Sequence, residues 1–116
     1  MKLDNLKEEN LIEIIRIYGE HCGYGDGFRE VMYQNPGTVL ENLKKNLKRG
    51  YEEYSIHSRW DIRSKLFFAI DRESNLSVSF NPNIHPDDLG EDTFEEAINA
   101  GEKFVEAAMK YLNSCL

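Results

Sequence analysis

The chain has 116 residues, a length typical of one domain, and we expect residues 1–116 to form a single domain. Its composition, 41% hydrophobic and 30% charged, is that of an ordinary globular protein. The formal net charge of −7 argues against a general attraction to nucleic acid or anionic lipid, and it favours basic partners.

The charge is concentrated towards the C-terminal end of the chain. Residues 81–116 contain eight acidic side chains and only two basic ones, Lys103 and Lys110. The longest apolar run is residues 66–70, and the N-terminal residues contain no apolar block of signal-peptide length. We therefore expect a cytoplasmic protein with no membrane partner, whose two cysteines, Cys22 and Cys115, are reduced thiols.

The first predicted helix begins near Asp4 or Asn5, because Asn5 followed by Glu8 fits an N-cap with a reciprocal acid. An apolar stripe with helical spacing follows: Leu11, Ile14, Ile15, Tyr18 and Cys22. The β-branched residues between positions 12 and 17 leave a strand as the alternative, but the length of the pattern favours a helix. Three glycines in residues 23–27 end it.

A short helical piece, with Phe28, Val31 and Met32, is expected next, ending at residues 35–37 (Asn-Pro-Gly). The second main helix is predicted to begin with Thr38 as the N-cap and Glu41 as its acid. Its apolar face contains Leu40, Leu43 and Leu47, its last turn is basic, and Gly50 is a suitable C-cap.

Residues 64–80 predict a β-hairpin. An apolar run over residues 66–70 precedes a polar turn, and Leu76, Val78 and Phe80 then alternate with serines. Residues 51–62 alternate in part and are a candidate third strand. Residues 81–90, which contain two prolines, are expected to form a loop.

The last helix is predicted to begin at Asp92 or Thr93, where Thr93 and Glu96 fit a capping box. Its predicted apolar stripe contains Phe94, Ala97, Ile98, Gly101, Val105, Ala108, Met109 and Leu112. The expected fold is α+β, with helices packed on a small antiparallel β-meander in the approximate order α-α-β-β-(β)-α.

No motif in the sequence predicts an enzyme, a cofactor or a metal ion. His21 and Cys22 are adjacent on a helix, so their side chains point about 100° apart and do not form a nucleophile pair readily. The residues that could bind a metal lack the spacing of a zinc or calcium site. Residues 23–27 follow a predicted helix and precede no lysine, which argues against a phosphate-binding loop.

The acidic stretch over residues 87–96 divides into two groups. Asp92, Glu95 and Glu96 are expected at the N-terminal end of a helix, where they favour its dipole. Asp87, Asp88 and Glu91 are expected in the preceding loop, and no local base offsets their charge. These three acids either belong to a solvent-exposed surface that has no specific role or form a negative face for a basic partner.

Three passages resemble bacterial contact-dependent growth inhibition immunity proteins: Gly-Tyr-Gly-Asp-Gly-Phe at 23–28, Leu-Lys-Arg-Gly-Tyr at 47–51 and Asn-Ile-His-Pro-Asp at 83–87. The resemblance implies a cytoplasmic inhibitor that protects the producing cell by binding a cognate toxin, for example a nuclease.

For such an inhibitor, we predict charge contacts from Asp26, Asp87, Asp88 and Glu91, since a nuclease presents a basic cleft. Tyr24 is a predicted aromatic anchor. Trp60 could serve as a second anchor, although core packing is the more ordinary role for a lone tryptophan.

Two other functions fit the same sequence. A phage- or plasmid-encoded nucleic-acid mimic would present the same negative face to a DNA-binding protein. A small enzyme or enzyme subunit would need His21, His57 and His85 to converge on one site.

Overall fold

The computed structural model describes residues 1–22, 35–48, 53–56, 65–81 and 91–115. In these ranges the helices are α1 (Glu8–Cys22), α2 (Pro36–Lys48) and α3 (Glu91–Ser114), and the strands are β1 (Glu53–Ile56), β2 (Lys65–Ile70) and β3 (Leu76–Asn81). The predicted α+β class is confirmed, with an antiparallel sheet in the order β1-β2-β3. β1 is the third strand that was expected within residues 51–62. The turn at 23–27 and the short helix predicted after it lie outside the described residues.

Helix α1 confirms the helical interpretation of residues 12–17, but the predicted start was wrong. Residues 3–5 form a single 3-10 turn, and α1 begins only at Glu8. Asn10, not Glu8, makes the reciprocal bond of the helix start, since its Oδ1 accepts a hydrogen bond from the N–H of the N-cap residue Lys7 at 2.9 Å. Leu3 and Leu6 are each 1% exposed, and burying both of them turns the chain into the core before the helix starts.

Helix α2 begins two residues before Thr38, which is therefore not its N-cap. Asn35 has that role, because its Oδ1 accepts a hydrogen bond from the Gly37 N–H at 2.9 Å. Pro36 occupies the first helical position, where its missing N–H costs nothing. Two of the three predicted apolar residues, Leu43 and Leu47, are buried, and Leu40 packs against the core while partly exposed.

The β-hairpin has the predicted strands. Phe68 pairs with Val78 and Ile70 with Leu76, so one face of the sheet supplies apolar side chains to the core. In the turn, Asp71 accepts hydrogen bonds from the backbone N–H groups of Asn75 and Glu73 at 2.9 and 2.8 Å. Both hydrogen bonds lower the pKa of the Asp71 carboxyl, and the bond from Asn75 has the larger effect. Ser74 has a positive φ of 63°, as a three-residue hairpin loop requires.

The first three residues pair with the hairpin at the outer edge of β3. The carbonyl of Met1 accepts a hydrogen bond from the Leu76 N–H at 2.8 Å, and the Leu3 N–H donates to Ser74 at 2.9 Å. The ammonium group of Lys2 donates to the carbonyl of Glu73 at 2.7 Å. This segment covers part of a sheet edge that would otherwise be open to further strand pairing.

Helix α3 packs against both α1 and β3. Phe104 is 0% exposed and contacts Tyr18 of α1 edge-on, with ring centroids 5.2 Å apart. A Cβ atom at Gly101 would lie 2.1 Å from the ring of Phe80, so only glycine allows this approach of α3 to β3. The predicted stripe omitted Phe104, although this residue lies at the centre of the helix interface.

Helices α1 and α3 run antiparallel. The Asn10 amide donates to the Tyr111 hydroxyl at 3.1 Å near one end of the pair, and Tyr18 meets Phe104 further along. Cys22 and Cys115 consequently lie at opposite ends of the helix pair, and they are not joined by a disulfide.

Candidate protein-binding surface

Of the five residues predicted to contact a partner, one is described. Glu91 is the first residue of α3, so its predicted place in the preceding loop was wrong. An acid in the first turn of a helix has an ordinary explanation, because it favours the helix dipole. Asp26, Asp87, Asp88 and Tyr24 lie outside the described residues, as do Trp60, His57 and His85.

The described residues contain a second acidic feature, on the outward side of α3. Glu95, Glu102 and Glu106 are exposed, and they lie within about 40° of one another on a helix of about 3.6 residues per turn. They extend about 16 Å along the helix and face away from the buried Phe104. We call these three residues the α3 ridge.

The carboxylates of the α3 ridge lie near two lysines of the same helix but do not pair with them. None of the three forms an ion pair with a described basic side chain, although Lys103 and Lys110 are exposed within about one turn of Glu106. The helix dipole explains only Glu95, since its effect falls off within the first turns and Glu102 and Glu106 lie further along. Neither helix capping nor ion pairing therefore accounts for these last two acids.

Two outward carboxylates of α1, Glu13 and Glu20, are paired instead. Arg16 contacts Glu13 at 2.5 Å and also pairs with Glu20 one turn later. The hydrogen bond from Arg16 lowers the pKa of the Glu13 carboxyl, and both acids raise the pKa of the Arg16 guanidinium. The middle of α1 thus carries two paired acids, whereas the exposed Glu8 and Glu9 in its first turn form no ion pair with a described basic residue.

The N-terminal part of α3 extends past the end of α1. Asn10 contacts Tyr111, and Tyr18 contacts Phe104, which fixes how the two antiparallel helices are aligned. Extended at the rise of an α-helix, this alignment places Cys22 opposite about residue 100 of α3. We call residues 91–98 the α3 overhang. Phe94, Ala97 and Ile98 are partly exposed there, and they are not among the side chains packed on the described core.

Other sites that the sequence suggested find no geometric support in the described ranges. Cys22 packs against the core, as a small apolar residue would. No three His, Cys, Asp or Glu side chains of the described residues are grouped as a metal ion requires. No described buried polar side-chain atom lacks a hydrogen bond. In the same ranges, no helix is long and apolar enough to cross a membrane.

Glu102 and Glu106 are not among the residues predicted to contact a partner. Their signal is present in the sequence, because acids at 95, 102 and 106 repeat with helical spacing opposite the apolar stripe. The acid-rich run at 87–96 is denser and is therefore the stronger signal in the sequence.

Searches of protein-family models, of curated proteins and of solved structures found no match to this chain. The resemblance to immunity proteins therefore stays a prediction.

Proposed function

We propose that this chain is a cytoplasmic immunity protein, not an enzyme, that binds and inhibits a cognate bacterial toxin through its acidic surface. The observation that carries the proposal is the α3 ridge, where Glu102 and Glu106 have neither a described ion-pair partner nor a helix-capping role. Acids that do not stabilise the fold and all face one way suit recognition of a basic protein.

A nuclease is the toxin class that fits best. Its substrate cleft is basic because it must bind a phosphate backbone. The α3 ridge would attract that cleft over a distance of about one Debye length and raise the rate of encounter. Inhibition would then follow from covering the cleft or a surface beside it.

The spacing of the ridge favours a protein partner over nucleic-acid mimicry. Three carboxylates that span about 16 Å lie on average about 8 Å apart along the helix. Each strand of double-stranded DNA carries one phosphate per about 3.4 Å, so the ridge is a sparse imitation of that backbone. A protein cleft with a few lysines or arginines needs only a few matching acids.

The decisive experiment starts from the open reading frame directly upstream of the gene. We expect its product to be toxic when expressed alone, harmless when co-expressed with this chain, and bound to it in solution. The immunity function is wrong if the upstream product is harmless when expressed alone, and if any protein that this chain captures from the native host is harmless as well.

The role of the ridge is tested with two triple variants of equal charge. Glu95→Gln, Glu102→Gln and Glu106→Gln together should lower the association rate about tenfold and flatten its dependence on salt. The matched control changes the exposed residues Glu9, Glu41 and Glu73 to glutamine, and its rate should stay within about twofold of wild type. Equal effects of the two variants would show that net charge, and not the ridge, attracts the toxin.

A further inference from the structure

We propose that Met109 of α3 is a reversible oxidation site, where a peroxide converts the thioether to a sulfoxide and loosens the contact of α3 with β3. Two observations meet at this residue: its sulfur accepts a backbone hydrogen bond from β3, and its side chain is partly exposed. The site acts on the fold itself, so it does not depend on a toxin partner.

The sulfur of Met109 completes a backbone hydrogen bond at the outer edge of β3. The N–H groups of alternate residues in a strand point to the same side, so those of Leu76 and Val78 both point away from β2. The Leu76 N–H donates to the Met1 carbonyl at 2.8 Å, whereas the Val78 N–H donates to Sδ of Met109 at 3.4 Å. Val78 is 3% exposed, so water is poorly placed to replace the sulfur.

A thioether in this position is open to oxidation. Met109 packs on the core but is partly exposed, and its sulfur has a second lone pair that is not directed at Val78. That lone pair can attack one oxygen of hydrogen peroxide. The O–O bond breaks as the S–O bond forms, and the other oxygen leaves as water with both protons of the peroxide. The sulfur loses two electrons and the peroxide gains them.

The sulfoxide is a poorer neighbour for β3 than the thioether. Its sulfur carries a partial positive charge, so it no longer accepts the hydrogen bond from Val78, and the donor loses its partner. Its oxygen is polar and needs a donor or water in a position that packs on the core. The approach of Gly101 to Phe80 remains, so α3 loosens without leaving the sheet.

The oxidation can be reversed by enzymes. Methionine sulfoxide reductases return a sulfoxide to the thioether, with one enzyme for each of the two sulfoxide epimers. Because one lone pair of Met109 faces Val78, peroxide should reach the sulfur from the other side and give one epimer in excess. One of the two reductases should therefore repair most of the oxidised chain.

The test uses the full folded chain and dilute hydrogen peroxide, followed by dithiothreitol to restore the thiols of Cys22 and Cys115. Peptide mass spectrometry locates the added oxygen. We expect Met109 to react within about tenfold of its rate in the urea-unfolded chain, and Met1, a member of the core, to be protected more strongly. Amide hydrogen exchange of Val78 should become about tenfold faster relative to that of Leu76.

Met109→Leu is the matched variant, because it keeps a similar volume and removes the sulfur. Before peroxide is added, its Val78 amide should already exchange about tenfold faster than in wild type, again relative to Leu76. Peroxide should then change this exchange by less than about twofold. Circular dichroism shows whether the variant keeps the fold.

Three results would each overturn the proposal. If Met109 reacts only in the unfolded chain, it is not an accessible site. If the exchange of Val78 relative to Leu76 is unchanged or slower after oxidation, the sulfoxide does not weaken the contact with β3. If neither reductase restores the thioether, the modification is damage and not a reversible site.

Discussion

Helices α1 and α3 lie side by side and differ in how their outward carboxylates are paired. On α1, Arg16 contacts both Glu13 and Glu20. On α3, Glu102 and Glu106 have no described ion-pair partner. The shared face is built from apolar contacts and the Asn10–Tyr111 hydrogen bond, so the difference outside is not a requirement of packing. The proposed recognition therefore depends on the charge of α3 and not on the net charge of the chain.

The largest effect is expected from breaking the interface that the two helices share. Phe104→Ala removes a fully buried ring that contacts Tyr18, and it should lower the free energy of unfolding by about 3–5 kcal/mol. Chemical denaturation measures this loss. A loss below about 1 kcal/mol would mean that the helix pair is not the centre of the core.

The next effect concerns the approach of α3 to the sheet. Gly101→Ala places a methyl group against the ring of Phe80, and the overpacking should cost about 1–3 kcal/mol, partly offset by about 1 kcal/mol of helix propensity. In a Phe80→Leu background, Gly101→Ala should lower the free energy of unfolding by less. A double-mutant cycle of unfolding free energies that finds no coupling between the two positions contradicts this contact.

A smaller effect is expected at the polar contact between the helices. Tyr111→Phe removes the acceptor of the Asn10 amide and should cost about 0.5–1.5 kcal/mol. If Tyr111→Phe is as stable as wild type by thermal unfolding, this bond does not hold the pair together.

The smallest change in stability is expected from Arg16→Gln, which makes the outer face of α1 resemble that of α3. Arg16 lowers the pKa of Glu13 below its ordinary 4.5. The stabilisation from this pair is therefore complete at a pH above the ordinary pKa of Glu13, and it is lost as the pH falls through the lowered pKa of that carboxyl. In Arg16→Gln the Glu13 carboxyl should titrate nearer 4.5 in a carbon-detected NMR titration. An unchanged titration would mean that Arg16 does not pair with it in solution.

The sequence predicted those elements whose signals are local. The hairpin follows from alternation around a polar turn, and α1 from a long stripe at helical spacing. The predicted start of α1 was wrong because tertiary packing decided it, since Leu6 is buried before α1 begins. The predicted start of α2 was wrong because two local caps compete, and Asn35, not Thr38, is the one used.

The candidate surface was harder to predict than the fold. Glu102 and Glu106 look like ordinary solvated residues until the position of Arg16 shows that α1 pairs two of its acids, Glu13 and Glu20, whereas these two acids of α3 have no described partner. The overhang depends on where α1 ends relative to α3, which is a relation between residues about 80 positions apart and has no local signal.

The pairing of residues near position 1 with the hairpin has a consequence for the order of folding during synthesis. Met1 and Leu3 bond to residues 74–76, and α1 buries its apolar side against α3, about 90 residues further along the chain. Because translation proceeds from the N-terminus, α1 is synthesised well before α3 and must wait for it before this side can be buried.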